Sequence, residues 1–438
     1  MTGTTDNREY NVPAEGEENW HEPVNENWKR LDEDIDRLYR RIEEIRNSDS
    51  GTDDSDSTAG GDGFGWDQTF SDTSWLTDAD ASGDLTVETV TTLDPDGSGG
   101  ILEAVSASGP TVVAFEVGGV IPLNGGDIEP AAETWIAGET APDPGISLVE
   151  GALVPREDKV IASHLGIYAG DGSGGVDSAI EPRGDDLVFD HCSAYWGVDE
   201  VVGLSPEQHR VSIINTVIAE GLDDSIHSEG PHSRGYLVND EGCTELCTMG
   251  SLFASNNRRQ PWAKSEHVLV NNLLFNHCSS PDESGNTIKT ESDLTAVGIR
   301  LQPSDETDTG EPVFQNDGNL YYEDIEPNGH PLSSDEQTIL DTPPLLPDGL
   351  SLSDDTVPAS DLEAWMRTNC GMRPATRPAA ERAFFRDRFN DTFAGTIDSQ
   401  EEVGGYPDYD GTSQVLEVPT TGIVEWVRGY TAAVEVTG

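Results

Sequence analysis

Phe189-Asp190-His191-Cys192-Ser193-Ala194-Tyr195-Trp196-Gly197-Val198-Asp199-Glu200 is the stretch from which the fold can be read. Strand alternation places Phe189 and His191 on one face and Asp190 and Cys192 on the other. Gly197 then breaks the strand, so Asp199 and Glu200 are expected on the following turn. An aromatic wall beside paired acids suits sugar binding, cation binding, or both. Alone, in so acidic a chain, the stretch reads better as a buried strand ending in a solvated acidic turn.

Downstream segments repeat the pattern. Ile214-Asn215-Thr216-Val217-Ile218-Ala219-Glu220-Gly221, Ser251-Leu252-Phe253-Ala254-Ser255-Asn256-Asn257 and Asn271-Asn272-Leu273-Leu274-Phe275-Asn276-His277 all carry it. With Cys192, Asn215, Ser251 and Asn272 taken as equivalent, the offsets are 23, 36 and 21. One such turn cannot bury its own apolar face, so the repeats must stack. The expected fold is all-β, a single-stranded right-handed parallel β-helix over residues 64–342. The long offset predicts one insertion, residues 231–247, standing off the rungs where sites are commonly built.

The stretch from Asp190 to Glu200 closely resembles a motif of the pectate lyase family, the parallel β-helix polysaccharide lyases. Gly109-Pro110-Thr111-Val112-Val113-Ala114-Phe115-Glu116-Val117-Gly118-Gly119, Ile136-Ala137-Gly138-Glu139-Thr140-Ala141-Pro142 and Asp398-Ser399-Gln400-Glu401-Glu402-Val403-Gly404-Gly405-Tyr406-Pro407 fit the same family in the same order. The resemblance extends from Thr91 to Tyr406. It implies a calcium ion that bridges protein and uronate carboxylates, and an Arg that removes the sugar's C5 proton for β-elimination. Asp177 and Asp199 match the first two calcium ligands. The third ligand position falls at Gly203, which cannot ligate, and Glu200 is the candidate substitute. Arg259 matches the base. Lys264 stands at a second substrate-binding Arg position, keeping the charge but losing the bidentate fork. A family Lys falls at Glu229, a charge reversal. Trp196 is the expected apolar wall for a sugar face, with Arg258 and Lys264 meeting sugar carboxylates. Stacked coils about 4.8 Å apart would let Asp177, Asp199 and Arg259 converge on one groove.

Composition frames that reading. There are 24 Lys+Arg against 84 Asp+Glu, a formal net charge of -60, and only four Lys. With 34% hydrophobic residues and clear strand patterns, the middle of the chain is a folded body rather than an acidic disordered one. An acid-covered, Lys-poor surface suggests adaptation to very high salt, where screening relieves self-repulsion. Nucleic acid is not an expected partner, since no basic patch is evident. No run is long enough for membrane insertion, and residues 1–18 lack the pattern of a signal peptide. Five Cys residues are too few and scattered for a disulfide scaffold. Cys243-x-x-x-Cys247 has atypical metal spacing and no His pair, so a metal site there is disfavoured. Cys192 and Cys278 read as buried rung residues.

Trp28, Leu31, Ile35, Leu38, Ile42 and Ile45 form a short heptad seam, predicting a coiled-coil helix at 28–46 and a homo-oligomer, dimer or trimer. Trp20-His21-Glu22-Pro23-Val24-Asn25-Glu26-Asn27 resembles N-terminal modules of haloarchaeal and viral β-helix proteins, so residues 1–27 read as an attachment segment. Residues 47–63 form a flexible acidic linker. The β-helix is expected to begin with a cap at 64–93. Residues 343–438 are expected to fold back on the coils, helical near 379–389 and extended at 413–437.

Two functional readings follow. In one, the protein is a virion-attached adhesin (tail-spike, fibre or turret) that binds, with or without cleaving, acidic host-surface glycans outside the cell, its N-terminus joined to other virion proteins. In the other, it is a free calcium-assisted lyase of uronate-rich polysaccharide.

Overall fold

The short apolar runs of this chain pair side by side rather than end to end. In the computed structural model, residues 3–4, 11–12, 63–172, 176–277, 287–304, 307–333, 337–390 and 395–435 are described. Gly3–Thr4 pairs antiparallel with Asn11–Val12 in a separate N-terminal unit, residues 1–56. The coiled coil expected at 28–46, all but Gly63 of the linker expected at 47–63 and most of the attachment segment lie outside the described residues. So does Cys278.

The body is a parallel β-helix in which each coil lays strands on three faces. A first face stacks Thr111–Phe115, Thr134–Ala137, Val160–Ser163, Leu187–Asp190 and Val211–Ile214. A second stacks Ile146–Val149, Leu165–Tyr168, Ser193–Tyr195, Val217–Ala219 and Leu252–Ala254. The third is a separate eight-stranded sheet that includes Ser178–Ile180, Glu200–Leu204, Arg234–Val238, Trp262–Ala263 and Ile288–Thr290. Every pairing in these three faces is parallel. Val113, Ile136, Ala162, Phe189 and Ile213 fall in one register, one per coil, and belong to the buried core. Burial on both sides explains why these strands read as near-continuous apolar runs.

The deciding stretch is two strands rather than one. Leu187–Asp190 ends at a corner where His191 is left-handed (φ 46°), and Ser193–Tyr195 follows. The corner breaks the alternation. Phe189 and Cys192 join the interior core, while Asp190 and His191 contact segments packed on the outside. The same column continues through His164, Asn215, Gly250, Asn271 and Gly298, all at positive φ. Asn and Gly suit it because the left-handed region costs most L-residues about 1–2 kcal/mol.

The repeat alignment shifts by one residue as a result. Asn215 stands over His191, and Cys192 is level with Thr216, Ser251 and Asn272. A buried ladder ties that set together. Cys192 N donates to Thr216 Oγ1 at 3.2 Å, Thr216 N to Ser251 Oγ at 3.2 Å, and Ser251 N to Asn272 Oδ1 at 3.0 Å.

Nor is 231–247 one insertion. Arg234–Val238 lies within it as a regular third-face strand, and Cys247 opens the next first-face strand. The extra length sits in loops on either side, 220–233 and 239–246. From Val160 to Ala254 the corner between first and second faces is one or two residues long, as at 164, 191–192, 215–216 and 250–251, while the preceding coil has a longer corner at 138–145. The approach to the third face varies from 196–199 to 220–233.

Residues 64–72 run along the side of the coils instead of capping the first one. Phe64 N donates to Asn215 Oδ1 at 2.8 Å, Trp66 Nε1 to Asp190 Oδ2 at 2.8 Å, and Ser71 Oγ to the Leu187 and Arg210 carbonyls at 2.9 Å each. These bonds satisfy polar groups that the corners leave outside. A second apolar layer joins Phe64, Trp75, Tyr168, Tyr195, Trp365, Phe384 and Val427. Within the segment expected to be extended, 413–437, Ile423–Glu435 is instead a helix. Its β-branched residues suggest a strand, but Val424, Val427 and Val434 recur at helical spacing and are buried. Asp80 accepts from Ile423 N and Val424 N at 3.0 and 3.1 Å, supplying from another element the cap that this helix start lacks. Thr412–Ser413 pairs antiparallel with residues 117–118.

Cys192, Cys243, Cys247 and Cys370 are free and buried. Cys243 belongs to the interior core and Cys247 to the outer apolar layer, which separates the pair considered for a metal. No helix among the described residues is long and apolar enough to cross a membrane.

Candidate functional site

The candidate residues gather at the leading edge of the third face. Ser178, Glu200, Arg234 and Arg258 occupy one register position on successive coils. Asp177 and Asp199 stand one residue before the first two, and Asp199 N donates to the Asp177 carbonyl at 2.8 Å. Stacking therefore places two acids from adjacent coils next to each other. Glu200 is not on the turn with Asp199 but begins the strand Glu200–Leu204, and it is buried.

The acids are already engaged with cations. Asp199 Oδ1 accepts from Arg234 Nη1 at 3.1 Å and lies 3.4 Å from His232 Nε2. Glu200 forms a close ion pair with the Arg259 guanidinium, both side chains being largely buried. Glu200 Oε2 comes within 3.7 Å of where a Cβ on Gly203 would sit, so its carboxylate occupies space beside the position that lacks one. Burial, with Arg234 and His227 alongside, holds His232 below the usual histidine range, against the Gly230 carbonyl and Asp199. Glu229 is exposed and reaches within 3.8 Å of His232 Nε2.

Trp196 does not line this groove. It is 2% exposed, its indole N–H donates to Glu220 at 2.9 Å, and its ring packs on Tyr168, Tyr195 and Tyr406. Its left-handed backbone (φ 64°) lies at the corner after the second face, where flanking segments cover it. The aromatic beside the base candidate is Trp262. The Arg259 guanidinium is 5.4 Å and Lys289 Nζ 3.8 Å from its ring, within cation–π range. Its indole N–H donates to Glu291 Oε1 at 3.0 Å. Lys264 follows the strand Trp262–Ala263, half-buried, its backbone N–H bonded to the Val238 carbonyl. Arg258 is half-buried beside Arg259.

Sequence reasoning missed Arg234, Lys289, Trp262, His227 and His232. One signal was available. In a chain with four Lys, two of them and three Arg fall between 234 and 289, nearly balancing the six acids of that segment in an otherwise strongly acidic protein. The three-dimensional result is a basic stripe on the third face edged by acids.

No family model matches the chain. A probable pectate lyase C of Aspergillus flavus is 32% identical over 192 residues, covering 43% of this chain and 43% of that protein. The Aspergillus terreus protein of the same name is 33% identical over 189 residues, covering 43% and 42%. The chain thus spans under half the length of these relatives. Among solved structures, a point mutant of Bacillus subtilis pectate lyase superposes with a TM-score of 0.51 at 12% identity, over 73% of this chain and 99% of that one. The fold is that of a pectate lyase. A pectate lyase bound to a hexasaccharide matches at a TM-score of 0.47 and 13% identity, over 73% and 99%.

Proposed function

We propose that the third-face groove binds an acidic, uronate-type polysaccharide and cleaves it by β-elimination. The observation that carries this reading is the basic stripe of Arg234, Arg258, Arg259, Lys264 and Lys289 on a protein of net charge -60. Such a stripe matches a polymer of regularly spaced carboxylates, which Arg and Lys hold through charge-assisted hydrogen bonds. Trp262 offers a ring beside it. Similarity to proteins named as pectate lyases points the same way.

In this reading Arg259, in its neutral form, takes the C5 proton as the glycosidic bond at C4 breaks, and water protonates the departing oxygen. A guanidinium ion-paired to Glu200 is a poor base, because the carboxylate favours its charged form. The pair is therefore a resting arrangement, and before Arg259 can act Glu200 must move away and the guanidinium must lose a proton to solvent. Lys289 and Lys264 hold sugar carboxylates meanwhile. Asp177 and Asp199 fit a calcium ion in donor type and placement, being carboxylates on adjacent coils. When bound, the ion supplies positive charge that acidifies the proton beside the uronate carboxylate.

The setting is extracellular in this reading. Attachment to a virion through residues 1–27, oligomerisation through 28–46 and adaptation to high salt are its further parts. The adhesin reading, binding without turnover, is favoured by Gly203, by Glu229 and by Arg234 occupying Asp199 Oδ1. The test incubates the purified chain with polygalacturonate and with alginate in calcium, at low and molar salt. Ultraviolet absorbance of unsaturated products is expected. Binding without product would leave the adhesin, and neither binding nor product would overturn both.

A further inference from the structure

Beside the stripe, the long loop 220–233 carries two histidines that the lyase reading does not use. His227 and His232 pack ring on ring with centroids 3.6 Å apart. Together with Asp199 they offer one ligand atom each, all within 4.8 Å of one another. His232 is prepared for the role. It is 2% exposed, and its Nδ1 lies 2.7 Å from the Gly230 carbonyl, which orients that nitrogen as the N–H donor. The lone pair of Nε2 is thereby left facing Asp199 at 3.4 Å, with no hydrogen bond made. A metal-binding imidazole has this arrangement, its other N–H held by a carbonyl.

We propose that Asp199, His227 and His232 form a site for a divalent transition-metal ion of the zinc or cobalt class. Two imidazoles and one carboxylate are the donor set such ions take, with water filling the remaining positions. Bond lengths of about 2.0–2.2 Å require the three ligand atoms to close modestly, and the loop bearing His227 supplies the movement. His227 Nδ1 accepts the Glu229 N–H at 3.2 Å, so this ring reaches the metal by giving up that bond, either ligating through Nδ1 itself or moving its proton from Nε2 to Nδ1 and ligating through Nε2. Asp199 Oδ1, the oxygen that faces His232, also accepts from Arg234, so that hydrogen bond must yield or share the oxygen when an ion binds. Exposed Glu229 stands near enough to offset the added charge. Calcium prefers oxygen and gains nothing from the histidines, so the two metals are separable by residue.

The experiment titrates cobalt(II) and zinc into the metal-stripped full-length chain, reading visible absorption for cobalt and heat for zinc. One equivalent is expected, with the visible bands of nitrogen-ligated cobalt. His227→Ala and His232→Ala should each weaken binding by about 100-fold or more, beyond what loss of an outer-shell partner costs. Asp177→Asn should leave cobalt binding unchanged, since Asp177 belongs to the calcium pair alone. Should His232→Ala fail to fold, His227→Ala on its partly exposed loop decides. Cobalt binding that survives His227→Ala, or that lacks nitrogen-type bands, overturns the proposal. None of these readouts depends on glycan cleavage, so the site stands or falls apart from the lyase reading.

Discussion

Arg259, Trp262 and Trp196 separate what a side chain does for chemistry from what it does for the fold. Arg259→Ala should lower cleavage of a uronate polymer by about 10²- to 10⁴-fold, the usual worth of a positioned proton-transfer group. Initial rates at saturating substrate check it. The two tryptophans should behave oppositely. Trp196→Ala removes a buried ring and should cost about 3–5 kcal/mol in a melting experiment, while the folded fraction keeps its glycan affinity. Trp262→Ala should leave the melting temperature nearly unchanged and weaken glycan binding several-fold. The identities of Asp177, Asp199 and Arg259 as candidates were legible in sequence through ordered motifs. The role of Trp196 was not, because three residues from Asp199 in sequence lies across a left-handed corner in space.

At the scale of elements, the C-terminal helix Ile423–Glu435 is held by charge as well as by apolar packing. His164 and His191 stack at 4.9 Å, and Glu435 Oε1 reaches both, at 2.9 and 3.3 Å. Burial works against a charged His191 and Arg377 adds to that, yet Glu435 and Asp190 outweigh them and raise its pKa to about 9. A raised pKa means the folded state holds the proton more tightly than the unfolded chain. Its stabilisation is full below about pH 6.5 and disappears as pH rises to about 9, with a ceiling of about 3 kcal/mol. Melting temperature should therefore fall over that window, and Glu435→Gln should flatten the fall. A slope unchanged in the variant would remove the helix clamp from the account. The rungs were legible here because apolar runs and small corner residues recur. The helix was not, since 3.6-residue spacing of valines within β-branched sequence mimics a strand, and its cap comes from Asp80 far away in the chain.

For the whole molecule, the acidic charge sets how stability is expected to vary with salt. Screening lengths fall from about 30 Å at 0.01 M to about 3 Å at 1 M salt, so repulsion among 84 acids is strong at low salt and short-ranged at high. Melting temperature should rise with sodium chloride, and a flat profile would reject the halophilic part of the proposal. Association with a polyanion should also speed up with salt, the reverse of ordinary steering, because net repulsion is screened before the local stripe is. Stopped-flow binding to polygalacturonate would show the sign. The excess of acids is plain from the composition alone. The placement of 64–72 along the coils was not legible, since its partners Asp190, Leu187 and Asn215 are chosen only once the corners exist.

The unequal corners carry a consequence for how such a protein diversifies. From Val160 to Ala254 one seam takes only one or two residues per coil, and a longer corner, 138–145, lies before them with its flanking strands still paired. The opposite seam absorbs four residues in one coil and a long histidine-bearing loop in the next, while the strands on both sides keep their pairing. Descendants of this sequence are free to lengthen, shorten or exchange that one edge. Novelty in what the protein grips is therefore inherited separately from the scaffold that keeps it standing.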